Sequence, residues 1–120
     1  MDVDEANGRA EFRAEVRAFL EEHAALRTGS DADWSDRIYA DDDEAAADYV
    51  ARCRAWQRTL FDNGWAGLMW PERFGGRGGS IAEMIIFDEE AGRYDVTNGF
   101  VGVAQSLVGP ALMVHGSRDQ

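Results

Sequence analysis

Lysine is absent from the 120 residues, and all twelve basic residues are arginine. Chemistry that requires a lysine amine, such as Schiff-base formation or phosphate binding by a P-loop lysine, is therefore excluded for these residues. Cysteine occurs once, at Cys53, so no internal disulfide can form. This usage favours a reducing, cytoplasmic setting. The amino terminus also lacks the basic and apolar regions of a secretory signal.

Positive charge is scarce, and the formal net charge is −11 at pH 7. An acidic chain repels phosphate backbones and anionic lipid surfaces, so nucleic-acid and membrane-surface roles are disfavoured. The length indicates one domain at most, spanning 1–120, with a modest hydrophobic core.

Hydrophobic spacing near the helical period is the main pattern present, and no segment is typical of a strand. The pattern predicts an all-α fold of four helices packed around one core. Asn63-Gly64 ends the second predicted helix, and a capping box from Ser80 to Glu83 begins the third. The predicted helices span about 10–26, 43–63, 80–94 and 97–115.

The fourth predicted helix carries no charge over residues 97–114. Such a helix is either buried or membrane-spanning. Polar Gln105 and the helix-breaking Pro110 favour a buried helix, so no membrane span is expected. Pro110 should also kink the helix, because its ring removes one amide and crowds the carbonyl of Ser106.

The glycine-rich stretch GLMWPERFGGRGGS, at 67–80, raises the question of a phosphate-binding loop. A dinucleotide loop follows a strand, whereas this stretch follows a helix and lacks the G-x-G-x-x-G and G-K-[ST] patterns. Its glycines are instead expected to supply positive φ and close backbone approach between helices. Arg77 is expected at a solvated tip. The glycines concerned are Gly75, Gly76, Gly78 and Gly79.

Other polar residues are better explained by structure than by catalysis. Glu89 and Glu90 are adjacent on a helix and point to different faces, which favours a salt bridge with Arg93 over general-base chemistry. Cys53 lies on an apolar helical face and is expected in the core. No metal site is expected at the isolated histidines or the acidic run, which lack ligand spacing. These are His23, His115 and 41–44.

An ordered series of motifs resembles the N-terminal helical domain of acyl-CoA dehydrogenases. That family has a G-W-x-G-x-x-W-P-x-x-[FY]-G-G-x-G stretch, then a helix with F-x-E-E-x-x-R, then an uncharged helix ending in H-G-[ST]. The resemblance covers about 12–120. The matching residues are Gly64, Trp65, Gly67, Trp70, Pro71, Phe74, Gly75, Gly76, Gly78, Phe87, Glu89, Glu90, Arg93, Gly116 and Ser117.

The resemblance implies FAD-dependent oxidation of an acyl-CoA in fatty acid metabolism. In the family, a glutamate takes the α proton, the flavin accepts a hydride from the β carbon, and an electron-transfer flavoprotein reoxidises the flavin. The enzymes are usually tetramers, so a homo- or hetero-oligomer is expected. The sequence stops at Gln120, before the family's middle β domain and C-terminal domain, which hold the catalytic base and most FAD contacts. No catalytic or cofactor-binding residue is therefore assigned, and the domain alone is expected to be inactive.

In the family, the fourth helix lines the acyl-chain end of the substrate pocket. The resemblance thus implies that Phe100, Val103, Ala104 and Leu107 line this pocket. Core packing against the second and third helices is the commoner role for such apolar positions.

Two other functions stay open. The chain could be a stand-alone helical interaction module that partners a separate flavin-binding chain. It could also belong to a related flavoenzyme of the same fold, such as an acyl-CoA oxidase or a flavin monooxygenase. Neither acyl-chain length nor substrate type can be inferred from these residues.

Overall fold

The computed structural model describes residues 3–27, 43–96 and 101–120 of the chain. It confirms the predicted all-α class: within the described ranges there is no strand, only an isolated antiparallel bridge between Leu26 and Tyr94. The helices are α1 (Val3–His23), α2 (Asp43–Asp62), α3 (Ile81–Ala91) and α4, which joins the segments Val101–Val103, Ala104–Val108 and Gly109–His115. One 3-10 turn, Glu72–Phe74, lies between α2 and α3.

The chain divides into two compact units, each built from two stretches that are distant in sequence. The first comprises Met1–Thr28 and Leu68–Val96, and so contains α1 and α3. The second comprises Gly29–Gly67 and Thr97–Gln120, and so contains α2 and α4. The packing of all four helices around one core stays a prediction.

The core of the first unit forms where α1 packs against α3. The apolar spacing of α1 buries four of its side chains, and Val16 and Leu20 are fully buried. Each large apolar side chain removed from water contributes about 1.5–3 kcal/mol, so this seam is the main source of stability in the unit. The buried apolar residues of the two helices are Phe12, Val16, Phe19, Leu20, Ile86 and Phe87.

The predicted bounds of the first helix, about 10–26, were wrong at both ends. α1 begins at Val3, where the acidic side chains of its first turn complement the helix dipole. It ends at His23 because the following backbone pairs with the chain after α3. The Arg27 amide donates to the Arg93 carbonyl at 3.2 Å, and the Asp95 amide donates to the Ala25 carbonyl at 2.8 Å.

The predicted capping box at the start of α3 is confirmed. The Glu83 amide donates to Ser80 Oγ at 3.1 Å, and the Ser80 amide donates to Glu83 Oε1 at 3.1 Å. The helix ends at Ala91 and not near 94 as predicted, because Tyr94 takes part in the bridge to Leu26.

The end of α2 also follows the prediction. Gly64 adopts a φ of 77°, and its amide donates to the Phe61 carbonyl at 3.1 Å. The Trp65 amide donates to the Leu60 carbonyl at 2.8 Å, which completes a Schellman motif. Leu60 and Trp65 are both buried, as is Cys53, whose predicted core position is confirmed.

Candidate functional site

Helix α4 changes its winding in the middle. Residues Ala104–Val108 form a π-helical turn, and α-helical winding resumes with Gly109–His115. Pro110 is the second residue of this last segment, and Val108 before it keeps a helical backbone. The kink predicted at Pro110 stays a prediction. The structure has a π turn in the segment before it, which is one of the usual responses to a broken hydrogen-bond ladder.

Four large apolar side chains of α4 are exposed, so the prediction of a buried helix was wrong for these positions. Leu107 is 67% exposed and Val114 75% exposed, while Val108 and Leu112 are 53% and 41% exposed. The partly buried residues of the helix include Val101, Met113 and Gln105, and Gln105 Nε2 donates to Gln57 Oε1 of α2 at 3.2 Å. None of the helices in the described ranges is long and apolar enough to cross a membrane.

An open groove of about 420 Å³ lies along the C-terminal part of α4. Its wall is almost wholly apolar, with His115 and Gln120 as the polar residues of its lining. Gln120 Oε1 accepts a hydrogen bond from the Ser117 amide at 2.9 Å, which holds the chain end against the helix terminus. The lining residues are Leu107, Val108, Ala111, Leu112, His115, Gly116 and Gln120.

The structure brings one of the four predicted pocket residues to this groove. Leu107 lines it and is exposed, so it does not pack in the core of the described residues. Ala104 is exposed in the π turn and is not part of the lining. Val103 belongs to the helix by its backbone, but its side chain and all of Phe100 lie outside the described part of the chain. A pocket role for these four residues stays a prediction.

The groove also contains three apolar residues, Val108, Ala111 and Leu112, that were not among the four predicted lining residues. Those four were implied by the resemblance to the family, and the set ends at Leu107.

The glycine-rich loop is a connection and not a phosphate cradle. Gly75 and Gly78 have φ values of 86° and 64°, as the turn interpretation predicts. Gly76 and Gly79 approach backbone so closely that a Cβ would collide with the Trp70 and Leu68 carbonyls. The loop amides already donate to carbonyls: Gly75 to Glu72, Gly76 to Pro71, Gly78 to Trp70 and Gly79 to Leu68. This loop therefore does not fit the phosphates of a flavin dinucleotide.

Arg77 is not at a solvated tip as predicted. Its side chain is 29% exposed and pairs with Glu15 of α1 at 3.0 Å. This ion pair ties the glycine-rich loop to α1 within the first unit.

Glu90 is a buried carboxylate clamped by arginines. Its side chain is 3% exposed and accepts hydrogen bonds from Arg13 Nη1 at 2.7 Å and Arg17 Nε at 2.9 Å. The predicted partner Arg93 is also near, at 3.7 Å. The hydrogen bond from Arg17, aided by Arg13, lowers the pKa of Glu90 despite its burial. A carboxylate with a lowered pKa is a poor proton acceptor, so its role is structural.

Glu89 and Glu90 point to different faces, as predicted, with Glu89 56% exposed and Glu90 3% exposed, but they have one partner in common. Arg13 reaches both, because its Nη2 also donates to Glu89 Oε2 at 2.8 Å. The adjacent carboxylates thus share one guanidinium, with Glu90 buried and Glu89 exposed. Within the described ranges, no group of His, Cys, Asp and Glu side chains is placed to hold a metal ion.

Comparisons with known proteins agree with the motif series. The sequence model of the family described as acyl-CoA dehydrogenase, N-terminal domain, matches residues 7–120. Acyl-CoA dehydrogenase IpdE1 of Mycobacterium tuberculosis H37Rv is 39% identical over 67 residues, and acyl-CoA dehydrogenase FadE29 of the same organism is 42% identical over 67 residues. IpdE1 of Mycolicibacterium smegmatis is 36% identical over 67 residues.

Each of these alignments covers 56% of this chain and 17% of the relative, so the chain matches only a small part of those proteins. No solved structure matches the chain significantly. The family model, in contrast, extends over nearly all of the sequence. The chain therefore belongs to the acyl-CoA dehydrogenase family, in which it corresponds to the N-terminal domain.

Proposed function

We propose that this chain is the N-terminal domain of a flavin-dependent acyl-CoA dehydrogenase, which oxidises an acyl-CoA to the 2,3-enoyl-CoA. The domain shapes the acyl-chain pocket through the groove on α4. The observation that carries the proposal is this exposed apolar groove, lined by Leu107, Val108 and Leu112, on a domain of this family.

The chemistry of the groove suits an acyl chain. Apolar side chains form nearly all of its wall, and no carboxylate or guanidinium belongs to its lining residues. Burying an alkyl chain there contributes about 0.8 kcal/mol per methylene and covers side chains that would otherwise stay in water. An apolar groove with a few polar residues in its lining is typical of a site that binds a small apolar ligand.

Other parts of the enzyme are expected to bind the reacting end of the substrate. FAD supplies the electron-accepting chemistry when bound, and an electron-transfer flavoprotein reoxidises it. The glycine-rich loop offers no phosphate cradle, and Glu90, the buried carboxylate, is held by two arginines. This chain's own contribution is to bind and orient the acyl tail, so the domain alone is expected to be inactive. The complete enzyme is expected to be an oligomer in the cytoplasm.

The test is to isolate the protein from its native source and measure its intact mass, its flavin absorbance and its reduction by acyl-CoA thioesters. A mass several times 13.3 kDa, with bound flavin that acyl-CoA bleaches, supports the proposal. A flavoprotein that produces hydrogen peroxide from acyl-CoA and oxygen identifies an oxidase and contradicts the dehydrogenase assignment.

A mass of 13.3 kDa without flavin also contradicts the proposal. Co-purification of that small chain with a separate flavoprotein would identify it as the interaction module considered above. Mass spectrometry of the co-purified chain distinguishes these outcomes.

A further inference from the structure

All three asparagines of the chain are followed by glycine, and they are Asn7, Asn63 and Asn98. Asn98 lies outside the described residues, whereas Asn7 lies near the start of α1 and Asn63 directly follows α2. We propose that Asn7 is a site of spontaneous deamidation in the folded protein, and that the cap of α2 protects Asn63 from the same reaction. This inference is independent of the proposed function.

The reaction requires only water besides the chain itself. The Gly8 amide nitrogen attacks Asn7 Cγ, the bond from Cγ to the side-chain nitrogen breaks, and that nitrogen leaves as ammonia together with the amide proton. Water then opens the resulting succinimide ring at one of its carbonyl carbons and yields aspartate or isoaspartate, with no oxidation or reduction. Glycine favours the attack because it has no side chain to hinder its amide nitrogen and its backbone is the least restricted.

Helical structure opposes this attack. In α-helical winding the Gly8 amide donates to the Asp4 carbonyl, and the helical backbone of Asn7 keeps the attacking nitrogen away from Cγ. The helix must therefore open locally before Asn7 reacts, and the rate of deamidation follows the population of the open form. The free energy of local opening thus decides which asparagine is modified.

The first two turns of α1 bury no side chain. Residues 3–9 are all exposed, and the first buried side chain of the helix is that of Phe12. Gly8 weakens these turns further, because glycine has the most backbone freedom to lose in a helix. The ion pair between Glu5 and Arg9 is exposed and contributes little. Opening these turns therefore costs little free energy and leaves the core between α1 and α3 intact.

Asn63 is also exposed, but hydrogen bonds hold both of its reacting groups. Asn63 Nδ2 donates to the Thr59 carbonyl at 2.9 Å, and the Gly64 amide donates to the Phe61 carbonyl at 3.1 Å. The Schellman motif that contains them continues to Trp65, whose side chain is buried. Opening this cap would expose Trp65 to water, so it costs more free energy than opening the start of α1.

The modified protein is expected to stay folded. Deamidation at Asn7 adds one negative charge, and isoaspartate also lengthens the backbone, which interrupts the helix at that residue. The buried residues of α1 begin at Phe12, beyond this interruption. The protein therefore accumulates as a folded and more acidic form, which ion exchange separates from the unmodified protein.

The experiment follows deamidation of the purified full-length protein at mildly alkaline pH, both folded and in guanidinium chloride. Trypsin separates the two sites, because one peptide ends at Arg9 and another spans 59–73. Mass spectrometry of these peptides gives each rate. In the folded protein, Asn7 is expected to react about tenfold faster than Asn63, or more. In guanidinium chloride, the two rates are expected to agree within about twofold.

The variant Ala6→Gly tests whether opening of α1 controls the reaction. Ala6 is exposed and lies in the same turn as Asn7, so the substitution weakens the helix without changing the Asn-Gly pair. It is expected to raise the rate at Asn7 in the folded protein by about fourfold. Asn63 is the control within the same molecule, and its rate is expected to stay unchanged.

Three results would each overturn the inference. The first is a rate at Asn63 in the folded protein that equals or exceeds the rate at Asn7. The second is a folded protein in which Asn7 stays unmodified during the time that guanidinium chloride allows it to react. The third is an unchanged rate at Asn7 in the Ala6→Gly variant, since opening of the first turns would then not control the reaction.

Discussion

Arg17 donates through Nε to the carboxylate of Glu90 at 2.9 Å, across 73 residues of sequence. Together with Arg13, it joins α1 to α3 at a site where the carboxylate is 3% exposed. If Glu90 is replaced, Arg13 and Arg17 stay at this site without their carboxylate. This loss lowers stability more than the loss of an exposed ion pair does.

Glu90→Gln is therefore expected to lower the Tm of the chain by about 5 °C, since the amide cannot neutralise the two arginines. Glu89→Gln is the matched control, because Glu89 also pairs with Arg13 but is 56% exposed. It is expected to change the Tm by about 1 °C at most. Thermal unfolding followed by circular dichroism measures both, and equal shifts would contradict a special role for Glu90.

The same cluster predicts a dependence of stability on pH. Its arginines, Arg17 first, lower the pKa of Glu90 below the ordinary 4.5. A group whose pKa is lower in the folded state stabilises the fold above its unfolded pKa, and this contribution is lost as the pH falls through the folded pKa. The Tm difference between wild type and Glu90→Gln should therefore be constant above pH 4.5 and shrink below it. A difference that grows on acidification would reverse the sign and contradict the assignment.

Three Gly→Ala substitutions should change the free energy of unfolding by different amounts, and in different directions. Gly76→Ala is expected to be the most destabilising, because its Cβ would meet the Trp70 carbonyl. Gly75→Ala has free space but a φ of 86°, so we expect a cost of about 1–2 kcal/mol. Gly8→Ala lies within α1 with free space around it and should stabilise by about 0.5–1 kcal/mol. Chemical denaturation gives all three free energies of unfolding, and any other order would contradict the loop geometry.

The capping box of α3 is expected to contribute measurably to the stability of the chain. Ser80→Ala removes the acceptor for the Glu83 amide, at a cost of about 1 kcal/mol. Ser80→Thr keeps the hydroxyl and should recover most of that stability. Urea unfolding of the two variants checks this, and equal losses would mean that the hydroxyl bond to Glu83 contributes little.

The exposed side chains of α4 predict self-association of the 120-residue chain. Leu107 and Leu112 form an apolar surface that water solvates poorly. The double variant Leu107→Gln, Leu112→Gln is expected to raise the monomer fraction in sedimentation while leaving the Tm nearly unchanged. A wild-type chain that is already monomeric at high concentration would contradict this prediction.

Local patterns predicted the element types well because their causes lie within a few residues. The Ser80–Glu83 box and the Gly64 stop depend on hydrogen bonds within one turn, and both formed as predicted. The ends of α1 and α3 were predicted less well, because the bridge between Leu26 and Tyr94 joins residues far apart in sequence. Val108, Ala111 and Leu112 were missed for a different reason: the predicted lining residues were implied by the family resemblance, and that set ends at Leu107.

The sequence by itself determined the family, through an ordered series of motifs, and the helical class, through apolar spacing and caps that act locally. Only the tertiary structure decided that Glu90 is buried between Arg13 and Arg17, since the three charges come from distant segments. It also decided that the uncharged α4 exposes Leu107 and Val114, where composition suggested burial. The physical reason is the same in both cases: burial depends on which elements pack together, and a side chain's own hydropathy does not determine that.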